Sequence, residues 1–338
     1  MSNLLIQGDN IVGLTYLLEK GYAGSVDLIY VDPPFATGDL FTVSEGRAST
    51  VSKSKGGVVA YEDRLKGADF VESIRQRMVL ARELLSENGS IYLHTDYKIG
   101  HYLKVMMDEV FGFENFRNDI TRVKCNPKNF SRLGYGNVKD MVLFYTKGRQ
   151  AIWNEPHEPY SEQDIARLFP KMEANGRRYT TVPIHAPGEN LSNEPFRGLM
   201  PPVGRHWRTD VATLEQWDAD GLIEWSAKGN PRKKIYADTQ EGKRVQDIWT
   251  FKDPQYPVYP TEKNAELLDM IIRTSSNPGS IVVDFYCGSG TTLRAAEKNG
   301  RRWIGIDASD VAIEAVKAKM NLNDNGLFPV DFEEIRVS

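Results

Sequence analysis

One stretch of the sequence decides the fold, and it reads SIVVDFYCGSGTT over residues 280–292. Its apolar start predicts a buried strand, its glycines predict a tight turn, and its threonines predict the start of a helix. Because glycine lets the backbone approach a ligand closely, this turn favours a nucleoside cofactor. Asp307 lies seventeen positions after Gly290 and ends the next predicted strand, where a carboxylate is placed to hold ribose hydroxyls.

Two alternatives to that interpretation remain open at this point. Leu293 stands where a dinucleotide fingerprint has its third glycine, which argues against a nicotinamide-dependent oxidoreductase without removing it. The turn is also compatible with a plain strand-to-helix connection in which Asp307 only caps the following helix.

A second motif, Asp32-Pro33-Pro34-Phe35, follows the predicted buried strand 26–31. Proline has no N–H and a fixed φ, so the pair presents its carbonyl oxygens rigidly. A carboxylate and a bare carbonyl suit the two hydrogens of an exocyclic amine, and an aromatic ring suits stacking on a planar base. The motif therefore predicts a site for in-line transfer to an amine nitrogen, unless the prolines merely end the sheet.

Strands and helices alternate over residues 1–150 and again over 256–338. The alternation predicts an α/β fold with a parallel sheet covered on both faces, and the two motifs are expected to meet at the carboxyl ends of its strands. Residues 36–68 are predicted to form a long loop. Residues 151–255 lose the alternation and predict an inserted second domain of short strands.

Composition narrows the classes of function. The formal net charge is −4, yet residues 115–150 hold eight basic residues against two acidic ones. Such a segment is able to neutralise phosphates, although it also fits ordinary solvated surface. The sequence shows no secretory signal and no apolar run of membrane-spanning length, so we expect a cytoplasmic protein. Cys125 and Cys287 form no CxxC pair, and no metal site is predicted.

The two motifs together resemble those of the DNA methyltransferases that methylate exocyclic amines. Their order, with the catalytic motif first and the cofactor motif last, is similar to the beta class of that family. Shorter matches and departures lie between them. The matches are Gly8-Asp9-Asn10, residues 91–96, residues 259–263 and residues 304–307. The departures are Glu262-Lys263-Asn264, where the family often has Gln-Lys-Pro, and Phe285-Tyr286-Cys287, where it often has Pro-Phe-Ala/Cys.

The resemblance implies a Rossmann-like methyltransferase sheet, circularly permuted, with S-adenosyl-L-methionine as cofactor and an inserted target-recognition domain. It places Asp9 at the cofactor adenine, Asp307 at the ribose and Lys263 at the methionine carboxylate, although Asp9 also suits a helix N-cap. The implied catalytic residues are Asp32, Pro33, Pro34 and Phe35. The implied cofactor-binding residues are Asp9, Lys263, Asp284, Phe285, Tyr286, Cys287, Gly288, Gly290, Thr291, Thr292 and Asp307.

The implied substrate is N6 of an adenine flipped out of double-stranded DNA, because Asp rather than Ser heads the catalytic motif. Cytosine N4 or RNA as the substrate, and a catalytically idle DNA-binding protein, are the alternatives. The resemblance also implies a homodimer and a partner restriction endonuclease. In the middle region, candidate DNA contacts include Arg205, His206, Trp207, Arg208, Trp217, Trp225 and 232–234, none of them singled out, and His94 is interpreted as strand packing.

Overall fold

The computed structural model describes residues 2–34, 40–44, 47–49, 58–62, 67–127, 133–188, 194–254, 262–321 and 330–338. The chain forms two compact units. The first unit consists of Met1–Pro156 and Gln246–Ser338, and the second unit is His157–Val245. No helix in the described ranges is both long enough and apolar enough to cross a membrane.

The strands are, in chain order, β1 (Asn3–Gln7), β2 (Val26–Val31), β3 (Leu40–Ser44), β4 (Arg47–Ser49), β5 (Val58–Glu62), β6 (Leu85–Thr95), β7 (Phe116–Val123), β8 (Lys139–Thr146), β9 (His157–Glu158), β10 (Lys171–Met172), β11 (Arg178–Pro183), β12 (His185–Pro187), β13 (Arg205–Trp207), β14 (Ile223–Trp225), β15 (Pro231–Tyr236), β16 (Lys243–Arg244), β17 (Ile248–Trp249), β18 (Ile281–Asp284), β19 (Arg302–Asp307) and β20 (Phe332–Arg336). The α-helices are α1 (Asn10–Glu19), α2 (Gly67–Leu84), α3 (Gly100–Phe111), α4 (Glu162–Leu168), α5 (Val211–Ala219), α6 (Ala265–Ser275), α7 (Thr291–Lys298) and α8 (Asp310–Asn321).

A nine-stranded sheet forms the first unit, in the order β17-β7-β8-β6-β2-β18-β19-β1-β20. Among these described strands, β8 runs antiparallel to its neighbours and the remaining pairs are parallel. Strands β18 and β19, which come late in the chain, lie between β2 and β1, which come early. The predicted α/β fold with a parallel sheet is confirmed, and the sheet joins the two ends of the sequence.

Successive residues of each strand point to opposite faces of this sheet, and apolar side chains occupy both faces. Helices therefore cover the sheet on both sides. Buried residues of α1, α2 and α3 form one cluster with Ile91 and Leu93 of β6. The intervening Tyr92 points to the other face, where its hydroxyl lies 2.8 Å from Ser275 Oγ in α6. The helix α7 contacts β18 and β19.

Part of the segment predicted as a long loop, residues 36–68, forms regular secondary structure. Strands β3, β4 and β5 form a small antiparallel sheet in the order β4-β3-β5, and α2 begins at Gly67. The loop prediction was wrong for these residues. The abundance of Gly, Ser and Lys concealed two short runs of β-formers, residues 40–43 and 58–61, which pair with each other.

The second unit, His157–Val245, contains a four-stranded antiparallel sheet in the order β10-β11-β15-β14. Two further antiparallel strand pairs, β12 with β13 and β9 with β16, accompany it. Its small apolar core consists of Ile184, Phe196, Trp207, Leu214 and Ile223. Trp207 therefore serves this core, and its indole N–H donates to the Glu194 carbonyl at 2.9 Å.

Candidate active site

The two sequence motifs lie on neighbouring parallel strands. In the register of β2 and β18, Leu28 pairs with Val282 and Ile29 with Val283. Asp284 ends β18, and Asp32 follows directly after the end of β2. Because the two strands run in the same direction, both carboxylates lie at the same edge of the sheet, as the sequence predicted.

The glycine turn after β18 needs its glycines. Gly288 has φ 49° and Gly290 has φ 76°, in the left-handed region that disfavours other residues. A Cβ atom on Gly290 would lie 2.9 Å from Val316 Cγ2 in α8. The turn leads directly into α7, whose first backbone N–H groups point toward the same edge.

Asp307 braces this turn from the end of β19. Its Oδ2 accepts from the Gly288 N–H at 2.9 Å, and its Oδ1 accepts from the Ser309 N–H at 2.9 Å. The second contact closes a turn before α8, which begins at Asp310. Ser309 accepts from the Ala312 N–H through Oγ at 3.4 Å, so Ser309 and not Asp307 caps this helix. Burial raises the pKa of its carboxyl, while these backbone N–H groups oppose that effect.

Asp284 is the most deeply buried carboxyl group of the site, with 2% of the residue exposed. Its Oδ1 accepts from the Tyr286 N–H at 3.0 Å. Burial raises the pKa of Asp284 to about 7, with smaller contributions in the same direction from the charges of Asp32 and Asp307. A hydrogen bond from Thr292 acts in the opposite direction. The pocket therefore brings three carboxyl groups together, an environment that favours a cationic ligand.

Asp9 caps α1, and its Oδ1 accepts from the Ile11 N–H at 2.8 Å. The next residue, Asn10, donates through Nδ2 to the Phe285 carbonyl at 3.1 Å and so joins α1 to the glycine turn. Arg77 of α2 donates to Asn10 and lies 3.4 Å from Asp9. Sequence reasoning missed Arg77, because nothing in the pattern of a long amphipathic helix distinguishes one surface arginine from the others.

Asp32 forms an ion pair with Lys263. The Lys263 Nζ lies 2.6 Å from Asp32 Oδ2, and the two side chains are 10% and 15% exposed. The other carboxylate oxygen, Oδ1, is buried and has no hydrogen-bond partner in the described part of the chain. A buried acceptor without a donor is costly by about 1–3 kcal/mol, which a ligand N–H would relieve.

A second lysine side chain contacts the glycine turn, and it belongs to Lys319 of α8. The Lys319 Nζ donates to Ser289 Oγ and Thr291 Oγ1, both at 3.0 Å, and to Glu262 at 2.6 Å. Adjacent residues thus contact the two motifs: Glu262 contacts Lys319 at the glycine turn, and Lys263 contacts the carboxylate of Asp32. The pattern offered no signal for Lys319, which appears as an ordinary helix lysine.

The predicted residues that remain are the others of the Asp32 motif and Cys287 of the glycine turn. Pro33 is buried and Pro34 is partly buried beside Asp32, whereas Phe35 lies outside the described residues. Cys287 is buried, its N–H donates to the Ile306 carbonyl at 3.2 Å, and burial raises the pKa of its thiol far above the usual range. Cys287 therefore has a packing environment and not that of a reactive thiol.

Behind Asp32 lies a buried polar network that sequence reasoning treated as strand packing. His94 is fully buried on β6, and its Nδ1 lies 2.7 Å from the Tyr30 hydroxyl. Its Nε2 lies 3.4 Å from Asp140 Oδ2, and Lys124 donates to Asp140 Oδ1 at 2.6 Å. Burial lowers the pKa of His94. The nearby charge of Lys263 lowers this pKa further, and the charge of Asp32 raises it.

In the described ranges, no group of three or more His, Cys, Asp or Glu is placed to hold a metal ion.

Solved structures share this fold. The M1.HpyAVI–SAM complex aligns with a TM-score of 0.52 at 17% identity, covering 94% of this chain and 100% of that one. The PvuII DNA methyltransferase (cytosine-N4-specific) aligns with a TM-score of 0.54 at 13% identity, covering 96% of this chain and 89% of that one. The predicted Rossmann-like methyltransferase fold is confirmed.

Sequence comparisons agree. The type II methyltransferase M.EcaI of Enterobacter cloacae is 39% identical over 94% of this chain and 69% of its own length. The StyLTI Mod subunit, from a type III restriction-modification enzyme of Salmonella typhimurium, is 27% identical over 95% of this chain, which spans only 55% of that protein. The profile of the family described as DNA methylase matches residues 26–318. With these matches and the geometry above, the chain belongs to the DNA methylase family, and the predicted DNA methyltransferase is confirmed.

Proposed function

We propose that this chain transfers the methyl group of S-adenosyl-L-methionine to N6 of adenine at a specific sequence of double-stranded DNA. The observation that carries the proposal is Oδ1 of Asp32, which is buried and has no hydrogen-bond partner among the described residues, directly after the strand that pairs with β18. This oxygen can accept a hydrogen bond from a substrate N–H, and the neighbouring glycine turn suits a nucleoside cofactor.

The residues present fit the cofactor. Its sulfonium and ammonium charges match a pocket with the carboxyl groups of Asp32, Asp284 and Asp307. Asp307 lies at the end of β19 beside Gly288, where its remaining lone pairs are placed for ribose hydroxyls. When bound, S-adenosyl-L-methionine supplies the electrophilic methyl group.

The catalytic motif acts on the amine. An exocyclic amine is a poor nucleophile because its lone pair is delocalised into the base. Asp32 Oδ1 and the Pro33 carbonyl accept its two hydrogens, which pulls the nitrogen toward a tetrahedral shape and aims its lone pair at the methyl group. The carboxylate also stabilises the positive charge that develops on nitrogen during transfer. Positioning and electrostatics together carry the reaction, without a covalent intermediate on the protein.

Nucleoside analysis by mass spectrometry, after incubation of unmethylated genomic DNA with labelled cofactor, tests the base. We expect N6-methyladenine, and we expect Asp32→Ala to abolish transfer while leaving DNA binding in place. Cytosine N4 offers the same two N–H groups, and N4-methylcytosine as the product would refute the adenine assignment. A parallel incubation with RNA tests the nucleic acid, and absence of any transfer with an intact fold would favour an idle DNA-binding protein.

The second unit, His157–Val245, is proposed to read the target sequence. At the paired strands β12 and β13, exposed Arg205 contacts His185 Nδ1 at 3.0 Å, and exposed Arg208, directly after β13, donates to the His185 carbonyl at 3.2 Å. Both guanidinium groups thus bind neutral partners and keep their charge for phosphates or base edges. Footprinting with and without the Arg205→Ala and Arg208→Ala substitutions tests this role.

We also propose a homodimer and a partner restriction endonuclease. The relatives include a type II methyltransferase and the Mod subunit of a type III restriction-modification enzyme, which supports the second proposal. Light scattering with bound DNA tests the first, since a monomer at all concentrations contradicts it. Co-purification of an ATP-dependent or site-specific nuclease from the native host tests the second.

A further inference from the structure

The ion pair between Lys263 and Asp32 assigns a task to Lys263 that differs from the one implied by family resemblance. We propose that Lys263 is a positioning residue for methyl transfer: its ammonium group holds Oδ2 of Asp32, so that Oδ1 alone is presented to the target amine. This inference rests on the proposed function, because it concerns the same carboxylate.

The first support is the division of labour between the two carboxylate oxygens. Oδ2 lies 2.6 Å from the Lys263 Nζ, while Oδ1 is buried without a hydrogen-bond partner among the described residues. A carboxylate rotates freely about its terminal bond unless one oxygen is held. With Oδ2 held, one carboxylate oxygen and the Pro33 carbonyl remain, and these two acceptors match the two hydrogens of one amine.

The second support is that Lys263 is itself held in place. The next residue, Asn264, caps α6 through Oδ1, which accepts from the Glu266 and Leu267 N–H groups at 2.8 and 3.1 Å. Its Nδ2 donates to the Lys252 carbonyl at 3.0 Å. The backbone at Lys263 is therefore fixed at the start of a helix that packs against the sheet. The asparagine where the family often has proline is what makes this cap.

The third support is the local charge. The negative charge of Asp32 lies close enough to Asp284 to raise the pKa of the Asp284 carboxyl group, so these two like charges repel each other when both are present. A buried ammonium group next to Asp32 offsets that repulsion in the absence of ligand. The glycine turn has its own lysine, Lys319, at 3.0 Å from Ser289 and Thr291. A second lysine is thus not needed there to bind an anionic group of the cofactor.

The test compares Lys263→Met, Lys263→Arg and the control Lys298→Met, whose side chain is 73% exposed on α7. Each variant is assayed for kcat with saturating tritiated cofactor on genomic DNA that the wild type methylates, and for cofactor Kd by calorimetry. We expect Lys263→Met to lower kcat about 100-fold, the loss typical of a misplaced catalytic group, with a cofactor Kd within about threefold of wild type. Lys263→Arg restores at least a tenth of wild-type kcat, and Lys298→Met behaves as wild type.

Two results would overturn the inference. One is a wild-type kcat for Lys263→Met at saturating cofactor. The other is a cofactor Kd at least tenfold weaker in that variant with kcat recovered at saturation, which would make Lys263 a cofactor ligand. Thermal melting with bound cofactor confirms that each variant is folded. Failure of the proposed function is distinguishable, because it appears in the wild-type chain itself, which would then form no N6-methyladenine in DNA.

Discussion

The Asp284→Asn substitution is expected to stabilise the ligand-free chain at alkaline pH. The wild-type carboxyl group is 2% exposed, and burial raises its pKa to about 7. Asn keeps the size of the side chain and the oxygen that accepts from the Tyr286 N–H, but it carries no charge. The substitution therefore removes the free energy needed to ionise a carboxyl group out of water.

The magnitude follows from the difference between the folded and unfolded states. In the unfolded chain the carboxyl group titrates near 3.8, so between that pH and about 7 the native state binds the proton more tightly. The free energy of unfolding of the wild type consequently falls as pH rises through this window. The destabilisation from this one group is about 2 kcal/mol at pH 5 and about 4 kcal/mol at pH 8.5.

Urea unfolding of both chains at pH 5 and pH 8.5, followed by circular dichroism, measures the effect. We expect the advantage of Asp284→Asn over wild type to grow by roughly 2–3 kcal/mol between the two pH values. Asp331→Asn, at an exposed position before β20, is the matched control and shows no such growth. An advantage that stays constant with pH would refute the argument from burial.

Three further predictions concern the cofactor, the glycine turn and DNA. A cationic cofactor favours the ionised form of Asp284, so calorimetry should show its binding tightening from pH 6 to pH 8 in wild type but not in Asp284→Asn, and equal pH dependence would contradict this. Gly290→Ala lowers the melting temperature more than Gly300→Ala, since both have positive φ but only the former meets a side chain, at 2.9 Å; equal shifts would show that the clash is relieved. Replacing Arg205 and Arg208 together by Ala lowers the slope of log K against log salt for DNA by about 2, measured by anisotropy, and an unchanged slope would remove them from the interface.

The sequence was sufficient to predict the sheet and the meeting of the two motifs. The apolar runs before Asp32 and before the glycine turn read as buried parallel strands, and buried parallel strands place their ligands at one edge. Helix bounds were also close: α6 was predicted from residue 262 and begins at Ala265, because Asn264 provides the cap. Local patterns carry this information directly.

The contacts made across the fold were beyond reach of the sequence. The resemblance implied a cofactor role for Lys263, but no sequence pattern indicated that its Nζ lies 2.6 Å from Asp32 Oδ2. Arg77 and Lys319 reach the site from helices whose periodicity reveals only a buried face and a solvated face. Which polar residue on a solvated face turns toward a pocket depends on packing between distant elements, and no local pattern encodes that.

The position of β18 between β2 and β19 has a consequence for synthesis of the protein. Leu28 leaves the ribosome long before Val282, its partner in the sheet. At translation rates of about 5–20 residues per second, roughly 250 intervening residues leave one edge of β2 open for about 13–50 s. An open strand edge is a template for pairing with other chains. Nascent chains halted before β18 should therefore recruit chaperones at β2, and their release should await the arrival of the glycine turn.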